Sequence, residues 1–176
     1  TSYSEFTIVG LEADEFPNIN DIEDDFATIS FDTEIFKNMI RKTSFAASID
    51  ESKGIIVGVL MEIEPDGVNM VALDGFRMAV ARQEMKNTEN RKIVVSAKIL
   101  NEVNKIISEA EDESDTKIMF SGKKAVIFAE NTKIIIRLLE GEFIKYKDII
   151  PTVNQTKVII DRPALLESIE RASLLA

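Results

Sequence analysis

The 176-residue chain contains neither cysteine nor histidine, and these two absences exclude many kinds of site. Without cysteine there is no disulfide, no thiolate nucleophile and no zinc site with sulfur ligands. Without histidine the chain lacks the usual general base, the Ser-His-Asp triad and the commonest metal ligand. The residues therefore predict no cofactor and no metal, and any catalysis would depend on carboxylates.

Long apolar runs are also missing. No stretch reaches the roughly 20 apolar residues that a membrane helix needs, and no signal peptide is evident in the first residues. Apolar residues nevertheless make up 45% of the chain, which suffices for a hydrophobic core. We therefore expect a soluble, cytoplasmic protein of roughly one to two domains with no membrane partner.

Positive charge is in the minority, since 21 basic residues face 31 acidic ones and the formal net charge is −10. This balance alone argues against a nucleic-acid partner, but the position of the charges matters more than their sum. Some of the acidic residues form two dense runs, at 20–25 and 109–115. We interpret the first run as a solvated linker, because it lacks the glycine and the following glutamate that a calcium loop requires.

Three stretches share one pattern, which is a short strand, an N-cap candidate and an amphipathic helix. Their N-cap candidates, Asp32, Ser96 and Asp161, are spaced by 64 and 65 residues (96 − 32 and 161 − 96). A fixed period indicates a repeat architecture. After each of the first two helices come three strands separated by turn signals such as Glu64-Pro-Asp-Gly67. The sequence therefore predicts an α+β fold of tandem β-α-β-β-β half-units, with two helices packed on antiparallel sheet.

The predicted strands are 26–31, 54–63, 68–73 and 76–82 in the first half-unit, and 92–95, 117–120, 125–129 and 133–139 in the second. Phe6–Val9 is predicted as an additional strand. It is followed by a turn, an arrangement that residues 134–143 repeat. We interpret the first residues as the end of a preceding unit and the last ones as the start of a following unit, so that the chain is a fragment.

The two complete helices carry a cationic stripe on the side opposite their apolar faces. Its residues are Lys37, Arg41, Lys98, Asn101 and Lys105. Lysine and arginine are ordinary on solvated helix faces, so both an unremarkable surface and contact with phosphates remain open. No aromatic residues are interleaved to stack bases, and sequence-specific single-strand binding is not expected. If nucleic acid binds, the contact would be sensitive to salt and indifferent to sequence.

Two segments carry a family resemblance. Leu73-Asp-Gly-Phe-Arg-Met-Ala79 and Gly141-Glu-Phe-Ile-Lys-Tyr-Lys-Asp-Ile-Ile-Pro151, with the repeated unit around them, resemble the beta subunit of bacterial DNA polymerase III, the sliding clamp family. The resemblance runs over essentially the whole chain and is most specific in the Asp-Gly-x-Arg-x-Ala core. It implies that 1–25 is the end of a first clamp domain with a linker, 26–151 a complete middle domain and 152–176 the start of a third domain.

The resemblance also implies a ring of two subunits around duplex DNA, lined by the helices, with a groove for a short Gln/Leu/Phe-type motif of partner proteins. Such partners are polymerase III subunits, the clamp loader and other proteins with a clamp-binding motif. On this chain the groove residues would be Ile56, Leu73, Gly75, Phe76, Arg77, Met78, Ile144, Asp148 and Ile149. Leu73, Phe76, Ile144 and Asp148 differ from the residues usual in the family. Without the resemblance, the apolar members read as sheet core.

The function that follows from the resemblance is a non-catalytic processivity factor that tethers the replicative polymerase to DNA. Two alternatives stay open on the residues alone. A carboxylate-dependent metal nuclease would need acidic groups that converge in space, whereas the acidic residues here lie mostly in linkers. A repeat-built scaffold without a DNA role would leave the cationic stripe without a partner.

Overall fold

The computed structural model describes residues 4–15, 27–108 and 115–174. It divides into two units, Thr1–Phe143 and Ile144–Ala176. The predicted acidic linker at 20–25, and all of the second acidic run except Asp115, lie outside the described residues. Within the part of the chain that is described, no helix is long and apolar enough to span a bilayer.

The α+β class and the repeated order of elements are confirmed. The strands are β1 (Ala27–Asp32), β2 (Gly58–Glu64), β3 (Gly67–Leu73), β4 (Met78–Glu84), β5 (Arg91–Ser96), β6 (Asp115–Ser121), β7 (Lys124–Ala129) and β8 (Thr132–Arg137). The α-helices are α1 (Thr33–Thr43), α2 (Ala97–Ile107) and α3 (Arg162–Ser173). Short 3₁₀ segments occupy Ala13–Glu15, Ser44–Ala46, Glu51–Val57 and Tyr146–Asp148.

The two half-units exchange their first strands. One sheet has the order β1-β6-β7-β8 and the other β4-β3-β2-β5, with every neighbouring pair antiparallel. Each sheet thus combines the first strand of one half-unit with the three later strands of the other. The two sheets are related as copies, since β1, β6, β7 and β8 correspond to β5, β2, β3 and β4.

The repeat is exact in the strand-helix part and differs afterwards. Adding 64 to the bounds of β1 and α1 reproduces those of β5 and α2. The connection that follows differs, because residues 44–57 join α1 to β2 whereas residues 108–114, half as many, join α2 to β6. The longer connection holds two of the 3₁₀ segments.

Two of the three predicted N-caps make the expected hydrogen bond. The backbone N–H of Ile35 donates to Oδ1 of Asp32 at 3.0 Å, and that of Ala164 donates to Oδ1 of Asp161 at 2.9 Å. Both carboxylates thereby satisfy a donor that the first helical turn leaves free. Ser96 occupies the N-cap position of α2, but its side chain makes no capping hydrogen bond, so that part of the prediction is wrong.

The helices α1 and α2 each bury one face. These two faces and the inner faces of the two sheets form a common core. The largest fully buried side chains include Phe36, Ile40, Met61, Leu100, Ile107, Ile118, Phe120 and Ile127. Ile106, predicted on the apolar face of α2, is 40% exposed. At 100° per residue, Ile106 lies roughly 95° from the middle of the buried face of α2, and therefore at the edge of that apolar face.

Two strand predictions are corrected. Phe6–Val9 is described without strand pairing, and Phe6, Ile8 and Val9 are largely exposed. A strand needs a partner strand to satisfy its backbone, and an apolar pattern cannot show whether one is present. The predicted strand at 54–63 begins only at Gly58, because Glu51–Val57 is 3₁₀ segment interrupted by Gly54 at φ 64°.

The predicted tight turns are confirmed, and they set the register of the sheets. Glu64 pairs with Gly67, Ser121 with Lys124 and Ala129 with Thr132, so these three hairpins close over two residues. The turn predicted at Asp74-Gly75 is longer, because Leu73 pairs with Met78 over four residues. At the first hairpin, a Cβ added to Gly67 would lie 2.6 Å from the backbone oxygen of Gln83 on β4. That oxygen belongs to backbone held in the β3–β4 ladder, which cannot move aside as easily as a flexible side chain can.

We therefore expect Gly67→Ala to lower the free energy of unfolding by about 1–3 kcal/mol, the usual cost of overpacking. Gly10→Ala is the matched control, because nothing lies within 4 Å of its added Cβ. Urea unfolding followed by circular dichroism compares the two variants. Equal stability of the two would contradict the steric account of the hairpin.

Candidate functional sites

The helices α1 and α2 pack side by side. Directly after α1, the Ser44 hydroxyl donates to Oδ1 of Asn101 on α2 at 2.8 Å. Both helices rest on the same hydrophobic core and follow their strands without an intervening residue. The exchange of first strands therefore sets the helices next to each other as a helical layer, α1 and α2 together.

The five residues of the predicted cationic stripe lie at matching positions of this layer. Adding 64 relates Lys37 to Asn101 and Arg41 to Lys105, so these four occupy two equivalent sites on the outward faces. Lys98 corresponds in the same way to Glu34. Four of the five are exposed, but the Lys37 side chain is only 19% exposed, less than its predicted outward direction implies.

Local ion pairs reduce the positive charge of the stripe. Nζ of Lys37 contacts Oε1 of Glu34, and Nζ of Lys105 lies 2.8 Å from Oε1 of Glu102. In both pairs the carboxylate stands three residues before the lysine, a spacing that brings side chains together on a helix. The sequence contained the signal for this compensation, since Glu34 and Glu102 already dilute the stripe in the residue pattern.

Arg41 and Lys98 differ from the two paired lysines. A guanidinium nitrogen of Arg41 donates to Oδ1 of Asn38, which is neutral. Lys98 is exposed and has no ion pair with any described residue. These two side chains therefore carry the uncompensated positive charge among the four cations of the stripe.

A cavity of about 680 Å³ opens beside the start of α2. It is lined by Ser44, Phe45, Ala47, Ser48, Ile49, Glu51, Val57, Ser96, Ala97, Lys98, Asn101 and Leu139. Most of its wall comes from the connection between α1 and β2. Sequence reasoning missed the cavity because part of that connection was predicted as strand.

The β3–β4 hairpin brings together five of the nine predicted groove residues. Leu73 ends β3 and pairs in register with Met78, the first residue of β4. Leu73 is 4% exposed and Met78 half-buried, whereas Phe76 in the turn between them is 94% exposed. Gly75 has φ 96°, a conformation that favours glycine. The hairpin therefore offers apolar side chains next to an exposed ring.

Asp74 holds this turn in place. Its Oδ1 accepts from the backbone N–H groups of Phe76 at 2.9 Å and Arg77 at 3.1 Å, and its Oδ2 accepts from Nε of Arg77 at 3.1 Å. The hydrogen bond from Phe76 is the largest cause that holds the pKa of the Asp74 carboxyl below its ordinary value; burial opposes it, and the hydrogen bonds and charge of Arg77 lower the pKa further. The carboxylate is therefore committed to the turn.

Two cation–aromatic contacts link the hairpin to the connection after α1. Cζ of Arg77 lies 5.7 Å from the ring centroid of Phe45, and Nζ of Lys53 lies 6.0 Å from that of Phe76. Neither Phe45 nor Lys53 was predicted as a site residue. They are distant in sequence from the hairpin, and no local pattern indicates the contact.

The remaining groove residues lie elsewhere in the chain. Ile56 is half-buried in the 3₁₀ segment before β2. Ile144, Asp148 and Ile149 belong to the second unit, where all three are exposed and Asp148 ends a 3₁₀ segment. Among the described residues, no three acidic side chains converge in a way that could hold a metal ion.

Comparison with known proteins gives consistent matches. A family model described as the DNA polymerase III beta subunit, central domain, matches residues 30–145. The beta sliding clamp of Bacillus subtilis (strain 168) is 33% identical over 180 residues, which cover 98% of this chain and 46% of the relative. That of Staphylococcus aureus (strain Mu50 / ATCC 700699) is 32% identical over 177 residues, covering 100% and 46%.

Solved structures agree with the sequence matches. A crystal structure of the DNA polymerase sliding clamp from Bacillus subtilis has a TM-score of 0.88 at 31% identity, covering 99% of this chain and 46% of that one. A putative DNA polymerase III beta subunit from Eubacterium rectale ATCC 33656 gives 0.89 at 34% identity, covering 99% and 47%. The chain spans about half the length of the relatives it matches.

The Asp74 turn generates a prediction on pH. Because its pKa is lowered by folding, its stabilising contribution is present above the ordinary value of 3.8 and is lost as the pH falls through the lowered pKa. We expect Asp74→Asn to be less stable than the parent at pH 7, with a difference that shrinks as the pH falls below 3.8. Urea unfolding over a pH series measures this difference.

Glu5→Gln removes one negative charge from an exposed position and serves as the control. An NMR titration of the Asp74 carboxyl gives an independent readout. A midpoint at or above 3.8 would show that the turn does not hold the ionised form.

Proposed function

The chain belongs to the beta subunit family of DNA polymerase III, the beta sliding clamps, and on this premise we propose that it acts as part of a processivity clamp. In this proposal residues 26–151 form the middle domain of a clamp subunit, flanked by the end of a first domain at 1–25 and the start of a third at 152–176. The family match over 30–145 supports the middle assignment.

We propose that the helical layer faces duplex DNA. The observation that carries this proposal is that both adjacent helices bear outward basic side chains, with Arg41 and Lys105 at equivalent positions, in a chain of net charge −10. Lys37, Arg41, Lys98, Asn101 and Lys105 would meet phosphates without reading bases, since phosphate contacts carry no sequence information directly. Such contacts suit a protein that slides.

Processivity in this proposal comes from topology and needs no catalytic residue. Two subunits would close a ring around the duplex in the cytoplasm, and the polymerase would be tethered to that ring. Strong affinity for any one DNA position would impede sliding. The partial compensation of Lys37 and Lys105 by neighbouring carboxylates supports a weak, mobile contact.

We propose further that the β3–β4 hairpin supplies part of a groove for partner peptides. Leu73 and Met78 would receive apolar side chains of a clamp-binding motif, with Arg77 at the charged rim. Ile56, Gly75 and Phe76 complete the proposed set in this unit, whereas Ile144, Asp148 and Ile149, which the resemblance also implies, belong to the other unit. The partners would be DNA polymerase III subunits, the clamp loader and other proteins with such a motif.

The DNA contact is tested with two double variants that remove equal charge. We expect Arg41→Ala with Lys98→Ala to weaken duplex binding more than Lys37→Ala with Lys105→Ala, because only the second pair is compensated by carboxylates. The affinity falls as the salt concentration rises, and each lost phosphate contact should make the plot of log affinity against log salt concentration less steep by about 0.9. Fluorescence anisotropy with a labelled duplex over a salt series measures both.

Ring function requires the length of the relatives, so the same variants are placed in a chimera. In it, this chain replaces the matched region of the Bacillus subtilis beta sliding clamp. We expect retention on nicked circular DNA and release once that DNA is cut. Lys86→Glu, exposed and off the helical layer, is the control. Undiminished retention and salt slope with all four cations replaced would reject the helical layer as the DNA-facing surface.

The groove is tested in the same chimera by Met78→Glu. We expect binding of a peptide with the Gln/Leu/Phe motif to weaken by about 1–3 kcal/mol, because an unpaired carboxylate would be buried among apolar groups. Isothermal titration calorimetry measures the loss. Ile106→Glu adds the same charge at an exposed apolar position on α2 and should leave affinity unchanged. Equal affinity of Met78→Glu and the parent would disprove the assignment.

A further inference from the structure

The sheet β1-β6-β7-β8 has a second face that the core does not use. Along β7, Ala125, Ile127 and Ala129 belong to the core, so the alternation of strand side chains sends Lys124, Val126 and Phe128 the other way. The same parity on β6 and β8 adds Lys117, Met119, Lys133, Ile135 and Arg137. We call these eight residues the outer face.

The strand register sorts the outer face into three rows across β6, β7 and β8. The first row contains Lys124 paired with Arg137. The middle row is Met119, Val126 and Ile135, and the third is Lys117, Phe128 and Lys133. An apolar row therefore lies between two rows that carry positive charge.

The four cations of the outer face are exposed, and none has a carboxylate within 4.0 Å among the described residues. Two described acidic residues have the same parity, Asp115 at the end of β6 beyond Lys117 and its register partner Asp32 on β1. In a chain of net charge −10, a surface with four uncompensated cations is a marked local excess.

The corresponding face of the other sheet is arranged differently. There Nζ of Lys92 lies 2.8 Å from Oε1 of Glu62, and Arg82 contacts both Glu64 and Asp66 at 3.6 and 2.6 Å. Cations at that face are thus neutralised by cross-strand or hairpin carboxylates. The two sheets have the same arrangement of strands, but among the described residues the β1-β6-β7-β8 sheet is the one whose outward cations have no carboxylate partner.

The middle row gives the outer face an apolar centre. Met119 and Ile135 are half-buried, and Val126 between them is 2% exposed although it does not belong to the core. Phe128 in the third row is half-buried as well. Nζ of Lys133 lies 5.9 Å from the ring centroid of Phe128. One cation of the outer face therefore lies against an apolar ring, and a ligand that matches only the charge would leave the half-buried apolar side chains without a partner.

We propose that the outer face docks an extended acidic segment of a partner protein. Lys124 and Phe128, which mark the two charged rows on β7, are four residues apart, so the rows are separated by about 13 Å. An extended peptide has the same spacing between residues i and i+4. Carboxylates at those positions would meet the cationic rows, and an apolar side chain at i+2 would meet the middle row.

This chemistry favours a peptide over a nucleic acid. A phosphate backbone presents charge at every nucleotide and no apolar side chain for Met119, Val126 and Ile135. An acidic peptide with an apolar centre matches both components, and exposed ion pairs would make its binding sensitive to salt. The proposal concerns a different surface from the helical layer and the β3–β4 hairpin, and stands independently of the DNA contact proposed there.

The probe is a fluorescently labelled synthetic peptide, Glu-Glu-Thr-Leu-Thr-Glu-Glu, measured by anisotropy against the intact chain. We expect replacement of its leucine by serine to weaken binding about tenfold, in line with burial of one apolar side chain. Lys117→Glu with Lys133→Glu should weaken binding of the leucine peptide about tenfold or more, because two attractions become repulsions.

Lys86→Glu with Lys157→Glu makes the same change of charge at exposed positions off the outer face and should leave peptide affinity unchanged. Circular dichroism checks that both double variants fold. A labelled duplex of equal concentration forms the competing arm. Equal affinity for the leucine and serine peptides, an equal effect of the two double variants, or displacement of the peptide by the duplex would each overturn the proposal.

Discussion

The exchange of first strands between the half-units is the constraint on which the rest of the structure depends. Pairing β1 with β6 and β5 with β2 means that neither half-unit has a complete sheet of its own. Each exchanged strand continues directly into a helix, from Asp32 to Thr33 and from Ser96 to Ala97. The pairing therefore positions the helices as well as the strands, and it leaves α1 and α2 as neighbours on one core.

The location of exposed positive charge depends on this geometry more than on the composition of the chain. A chain with a net charge of −10 places basic residues on the outward faces of two adjacent helices, and others on one sheet face. The same repeat also brings carboxylates within reach of some of these cations. On the helical layer Glu34 and Glu102 moderate the charge, and on the β4-β3-β2-β5 sheet Glu62 and Glu64 do so. The surfaces that keep uncompensated cations are thus limited and specific.

Much of this was readable from the sequence, and what was not readable depends on contacts between distant residues. The 64-residue spacing from Asp32 to Ser96 predicted the half-units, and turn residues such as Gly67 predicted the hairpins. Both signals are patterns along the chain and require no knowledge of which distant residues touch. The exchange of β1 and β5 left no local trace. The contact of Phe45 with Arg77 likewise joins residues that only the fold brings together.

Errors at individual residues have the same origin. Ile106 follows the apolar pattern of α2 but lies at the border of the buried stripe, and Lys37 points outward by periodicity but is partly covered near Glu34. Glu51–Val57 has strand-like composition after Gly54, yet the positive φ of that glycine turns the chain away from a strand. Helix periodicity and strand composition describe these segments as a whole. The local surroundings or backbone angle of a single residue decided where the structure differs.

The register of β1 has a consequence for the order in which the protein assembles. Ala27 pairs with Phe120, so β1 finds its neighbouring strand only after more than ninety further residues have left the ribosome. The β2–β3–β4 meander is local and can form during synthesis, whereas β1 must wait with an unpaired edge, a delay typical of long-range contacts. Nascent chains at this stage would be the ones in greatest need of a chaperone.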